Sequence, residues 1–147
     1  MSGTRADGAA GSDGAAGSGS NGALVCPCGS GSDYAECCGP LHAGEPAPSA
    51  ERLMRSRFSA FALGLPDYLL ASWDPETRPA TLELDVDVIW RRLVVRDVSG
   101  GGAEDASGHV AFTAVARGPG GRIELRERGR FRCGASGRWG YLDGVED

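Results

Sequence analysis

A chain of 147 residues with a formal charge of −5 and 41% hydrophobic residues has room for about one domain. It contains nothing like the ~20 successive apolar residues of a membrane-spanning helix, and its acidic balance argues against non-specific binding to nucleic acid. All 15 basic residues are arginine, glutamine is absent and the single asparagine is Asn21, so there is no phosphate-loop or Schiff-base lysine.

Residues 1–22 are mostly Gly, Ala, Ser and Asp with almost nothing to bury, and are expected to form a disordered spacer. They lack the apolar run of an export signal, which sets the expected location as the cytoplasm. Residues 23–40 hold four cysteines, Cys26, Cys28, Cys37 and Cys38, in a C-x-C…C-C pattern around a Gly29-Ser30-Gly31 turn. Folding one pair back over the other brings four sulfurs to one point, the arrangement of a tetrahedral zinc site. Bridges within either pair would be strained, and cross-pair bridges would need an oxidising compartment. Four sulfurs leave no open position for water or substrate, so the metal is expected to fold the segment and catalyse nothing. His42 follows outside a shell that is already complete.

Residues 41–48 read as a Gly/Pro-rich linker, and residues 49–147 as a second unit. Ser49 can cap a helix in which Glu51 suits the first turn, Leu53, Met54, Phe58, Phe61 and Ala62 share one face, and Gly64 is the stop. Pro66 can start a second helix over Asp67–Trp73, with Tyr68, Leu69 and Trp73 as core, and a further short helix is expected near Asp87. Four strand runs follow, Trp90–Val98, His109–Arg117, Arg122–Cys133 and Arg138–Asp143, separated by short Gly-rich turns. Such short links predict an antiparallel meander. Helices followed by a curling antiparallel sheet predict an α+β fold with the helices on the concave side.

The third run alternates throughout. Arg126, Arg128, Arg130 and Arg132 face one way, as a solvated stripe or a surface for acidic partners; Leu125, Glu127, Gly129 and Phe131 face the other. Glu127 therefore sits on an apolar face, where an isolated carboxylate is costly unless it is paired or opens into a cavity. Arg55 or Arg57 is the expected partner in a structural ion pair. The functional alternative makes Glu127 a general base or polar anchor in a pocket with Tyr68, Trp73, Phe112 and Phe131.

Cys26-Pro-Cys-Gly-Ser-Gly with Tyr34 and Cys37-Cys38-Gly-Pro-Leu-His resembles the SEC-C zinc motif found at the end of the SecA translocation ATPase. Together with Leu53-Met-Arg-Ser-Arg-Phe-Ser-Ala-Phe-Ala, Arg128-Gly-Arg-Phe and Gly137-Arg-Trp-Gly-Tyr-Leu-Asp-Gly, the chain resembles the YchJ family from about Leu24 to Gly144. The resemblance implies a zinc knuckle followed by a nuclear transport factor 2-like cone, and no particular activity. Cys38 stands where the SecA motif carries histidine. The expectation is a binding module with zinc as cofactor, an exposed Tyr34 edge for a protein partner and no catalytic residues. The alternative is a small-molecule or enzymatic pocket that uses Glu127.

Overall fold

The computed structural model describes residues 24–147; the expected tail at 1–22 lies outside the described residues. A turn of 3-10 helix at Tyr34–Glu36 leads into a short helix α1 (Cys38–His42), then α2 (Ala50–Leu63) and α3 (Pro66–Ala71). Strands β1 (Ile89–Gly100), β2 (Ser107–Gly118), β3 (Gly121–Cys133) and β4 (Trp139–Glu146) form one antiparallel sheet in the order β1-β2-β3-β4. The meander follows from the tight Gly-rich connections, which leave each strand only its neighbour to pair with.

Helix α2 organises the molecule. Ser49 Oγ accepts the Arg52 N–H at 3.2 Å and satisfies one of the donors that a helix start leaves free, and Gly64 ends the helix in the left-handed conformation at φ 73°. Its apolar stripe, Leu53, Met54 and Phe58, packs on the sheet with Leu93, Val110, Phe112, Phe131 and Trp139. The opposite side is covered too: Ser56 and Ser59 are fully buried. A helix buried all round needs two partners, and the cysteine segment is the second.

Three expectations change. The stretch read as a 41–48 linker is not a spacer, because α1 runs across its start and Leu41 and Ala47 join the cone core. No helix forms near Asp87; Asp85 Oδ1 accepts the Asp87 N–H at 2.9 Å and makes a side-chain-closed turn, with β-branched Val86 and Val88 alongside. The second helix stops at Ala71. Residues 72–74 then run beside β4, with Asp74 N–H donating to Tyr141 O at 2.8 Å and Tyr141 N–H to Ser72 O at 3.0 Å. Trp73 thus belongs to this added edge and not to the helix. Among the described residues no helix is long and apolar enough to cross a membrane.

Candidate functional site

The four cysteine sulfurs lie within 4.8 Å of one another, and all four residues are buried. Tetrahedral coordination at about 2.3 Å places sulfurs about 3.8 Å apart, and Cys28 and Cys37 Sγ already stand 3.6 Å apart. Gly29 and Gly31, at φ 84° and 89°, supply the left-handed turns that fold the first pair over the second. Crowding divides the thiols. Hydrogen bonds from Cys26 and Cys38 drive the Cys28 thiol well down; the bond with Cys28 pushes Cys26 up, and that with Cys26 pushes Cys38 up. Four sulfurs this close cannot all carry charge without a cation among them.

The knuckle is docked rather than tethered. Ser59 Oγ of α2 reaches Cys38 Sγ at 3.3 Å and Cys26 Sγ at 3.5 Å, and Ser30 Oγ stands 3.1 Å from Cys37 Sγ. Arg52 donates to Cys37 O at 2.9 Å and Arg55 to Cys28 O at 3.0 Å, so two α2 guanidiniums hold knuckle carbonyls. His42 is not placed as a ligand. Its Nε2 donates to Ser56 O at 2.8 Å, which leaves Nδ1 to accept the Tyr34 hydroxyl at 2.6 Å, and burial lowers its pKa. Tyr34, expected as an exposed edge, is therefore half-buried with its hydroxyl turned onto the domain. Tyr68 closes the same cluster, edge-on to His42 at 4.6 Å and bonded to Ser56 Oγ at 2.7 Å.

On the cone side of α2 lies a cavity of about 140 Å³ lined by Arg57, Phe58, Phe61, Trp73, Trp90, Phe112, Leu125, Glu127 and Tyr141. Of the pocket residues read from the sequence, Glu127, Arg57, Trp73 and Phe112 meet here; Tyr68 and Phe131 lie elsewhere in the packing, and Arg55 faces the knuckle. The expected ion pair is absent among the described residues. Arg55 pairs with Glu51 at 3.1 Å, a helix neighbour one turn away, and no nitrogen of Arg57 comes within 4.0 Å of Glu127. Arg57 Nη1 instead donates to Leu69 O at 2.8 Å and Ser72 Oγ at 2.7 Å, closing the end of α3. Its guanidinium lies over both the Trp73 and the Tyr141 ring, 4.8 and 4.4 Å from their centroids, and the two rings meet edge-on. Burial pushes its pKa down to about 10, still cationic at neutral pH.

Glu127 is held by Tyr141, whose hydroxyl donates to Oε2 at 3.0 Å, and burial raises the carboxyl above its usual range. Gly144 on β4 makes this possible, since a Cβ there would coincide with the Glu127 carboxylate. Beside the wall residues Phe58, Phe61, Trp90 and Leu125, sequence reasoning misses Tyr141. The signal was its register: Phe131 of β3 pairs with Tyr141 past a bulge, which aims the ring along β3 toward Glu127.

Three of the four arginines of the outer stripe are matched within the chain. Arg128 pairs with Asp97 at 3.4 Å, Arg130 with Asp143 at 2.7 Å and Arg132 with Asp74 at 2.8 Å. The Arg132 hydrogen bonds hold the Asp74 carboxyl below its usual range.

A buried four-cysteine knuckle seated on the outer side of a helix-backed, four-stranded cone defines a two-part α+β protein with a SEC-C segment and a nuclear transport factor 2-like domain. Residues 25–40 match the SEC-C motif, and residues 49–144 match the middle NTF2-like domain of YchJ. The chain belongs to the YchJ family, whose curated relatives are UPF0225 proteins. It is 47% identical over 123 residues to a UPF0225 protein of Corynebacterium glutamicum, covering 83% of this chain and 97% of that one. A UPF0225 protein of Streptomyces coelicolor is 46% identical over 120 residues, covering 81% and 93%. The solution structure of a SEC-C motif containing protein from Rhodopseudomonas palustris superposes with a TM-score of 0.72 at 37% identity, over 84% of this chain and 99% of that chain. A SEC-C motif containing protein from Psychrobacter arcticus gives 0.67 at 25% identity, over 84% and 83%.

Proposed function

We propose that the protein is a small-molecule-binding module in which a zinc knuckle braces α2 from outside and the cone cavity takes the ligand. Zinc is the metal that four clustered thiolates in tetrahedral reach suit best, and a shell filled by sulfur leaves it no role in catalysis. The cavity reading rests above all on one observation: a 4% exposed arginine cation and a half-buried glutamate face the same aromatic-walled space without closing on each other. Folding for stability alone would join them or replace both by apolar side chains, because separated buried charges cost free energy. Partner binding through the knuckle edge draws less support, since the Tyr34 hydroxyl is already engaged by His42. Native mass spectrometry of protein purified from cells is the test. The expected result is one zinc per chain together with a small molecule, the latter lost in Glu127→Leu while the zinc stays. A fully loaded metal site with an empty cavity in the wild-type protein, and with no fragment able to enter it, would overturn the reading.

A further inference from the structure

The chemistry left free in the cavity specifies what it can recognise, on the reading just given that the cavity is the ligand site. Arg57 comes from α2 and Glu127 from β3, and each is fixed by bonds that use only part of it. Both hydrogen bonds recorded for Arg57 leave from Nη1, so Nε and Nη2 remain as donors. Glu127 receives Tyr141 on Oε2, which leaves Oε1 as an acceptor. The guanidinium lies over two rings, and a Cβ at Gly144 would meet the Glu127 carboxylate where it lies. Trp73, on the same wall, carries a buried indole N–H with no partner among the described residues.

Size and charge narrow the occupant. A cavity of about 140 Å³ compares with the roughly 150 Å³ that accommodates a benzene ring in an engineered protein core. The walls are Phe58, Phe61, Trp90 and Phe112, which suit a flat ring. One cation and one anion facing the same space favour a neutral ligand, since a ligand charge of either sign meets its like on one side.

We infer that the cavity binds a neutral, planar, single-ring compound with a carbonyl beside a ring N–H, the lactam or cyclic imide class, its carbonyl accepting from Arg57 and its N–H donating to Glu127. The donor on Arg57 and the acceptor on Glu127 face one space without pairing, and a cis-amide edge offers the complementary acceptor and donor side by side. Buried polar groups that need such partners discriminate strongly against rings lacking them.

The test titrates the full-length, zinc-loaded protein with 2-pyridone, benzoate, benzylamine and toluene while following the Trp73 and Trp90 indole N–H resonances by NMR. The expected result is saturable shifts with 2-pyridone, at least tenfold tighter than with the two charged rings or with toluene. Glu127→Leu and Arg57→Met should each weaken 2-pyridone binding tenfold or more while toluene still enters. Should Arg57→Met fail to fold, Glu127→Leu still decides, because it leaves the bonds of Arg57 to Leu69 and Ser72 intact. Benzoate or toluene binding as tightly as 2-pyridone would overturn the ligand class and leave the cavity reading standing. Failure of all four rings to shift either indole would overturn both.

Discussion

The two sides of α2 are stabilised by different physics. Outside, the knuckle has no apolar core beyond four sulfurs and the flank of Tyr34, and its contacts with the helix are hydrogen bonds from Arg52, Arg55 and Ser59. Inside, the cone closes over a conventional core of Leu53, Met54, Phe58, Val110, Phe112 and Phe131. A segment this short cannot bury enough surface to fold alone, so on the reading proposed above its order depends on a metal, whereas the cone has its own driving force. Of the polar groups retained in the cone, Glu127 is then the one that stability does not require, whereas Arg57 also holds the end of α3. On that reading, metal and cavity are separate devices that share one helix.

The largest effect should come from breaking the metal shell. Cys28→Ser removes one of the four ligands, and structural zinc in small modules contributes on the order of 10 kcal/mol to their folding. We expect zinc content by elemental analysis to fall to near zero and the thermal midpoint to drop, with the far-UV signal of the sheet retained. Loss of the sheet signal would mean that the comparison fails and the two sides fold as one.

Next comes Arg57→Ala. It removes two hydrogen bonds donated by a charged group and the cation lying over the Trp73 and Tyr141 rings, leaving Leu69 O and Ser72 Oγ without that donor. Chemical denaturation should show a loss of about 3 kcal/mol. A loss near zero would show that α3 is not held from α2. Ser49→Ala, which deletes the α2 cap, should cost about 1 kcal/mol in the same assay without changing metal content.

The smallest effect on stability is expected at Glu127, and its sign is the informative part. Burial raises its folded pKa above the ordinary 4.5, so the stability linked to its protonation is present below that value and is lost as pH rises through the folded pKa. Glu127→Leu should therefore be as stable as wild type or more so at neutral pH, and should lose that advantage in acid. Strong destabilisation at neutral pH would restore the structural ion pair that the geometry lacks. Asp74 runs the other way: its carboxyl is held low by Arg132, so its contribution is lost as pH falls below the ordinary 3.8 and through the folded pKa.

Local rules read most of this fold. The cap at Ser49, the stop at Gly64, the Gly-rich turns and the alternation along β3 each follow from a few neighbouring residues, and the C-x-C…C-C spacing was enough to bring the sulfurs together. What escaped was long-range. Helical spacing offers both Arg55 and Arg57 to Glu127, and only the docked knuckle shows why Arg55 turns away to Cys28 O while Arg57 turns to the end of α3. For the same reason, composition marks 41–48 as Gly/Pro-rich without revealing that Leu41 and Ala47 reach the core. Likewise the meeting of Tyr141 with Glu127 depends on a bulge between Arg130 and Phe131 that no periodicity announces.

Amide hydrogen exchange, residue by residue, before and after chelation at neutral pH tests the separation of the two sides most directly. The account predicts that protection is lost between Val25 and His42 and weakened where Arg52, Arg55 and Ser59 meet the knuckle, while β2, β3 and the cavity wall at Phe112 and Glu127 keep theirs. Uniform loss across the sheet, or protection of the knuckle that survives removal of the metal, would contradict it.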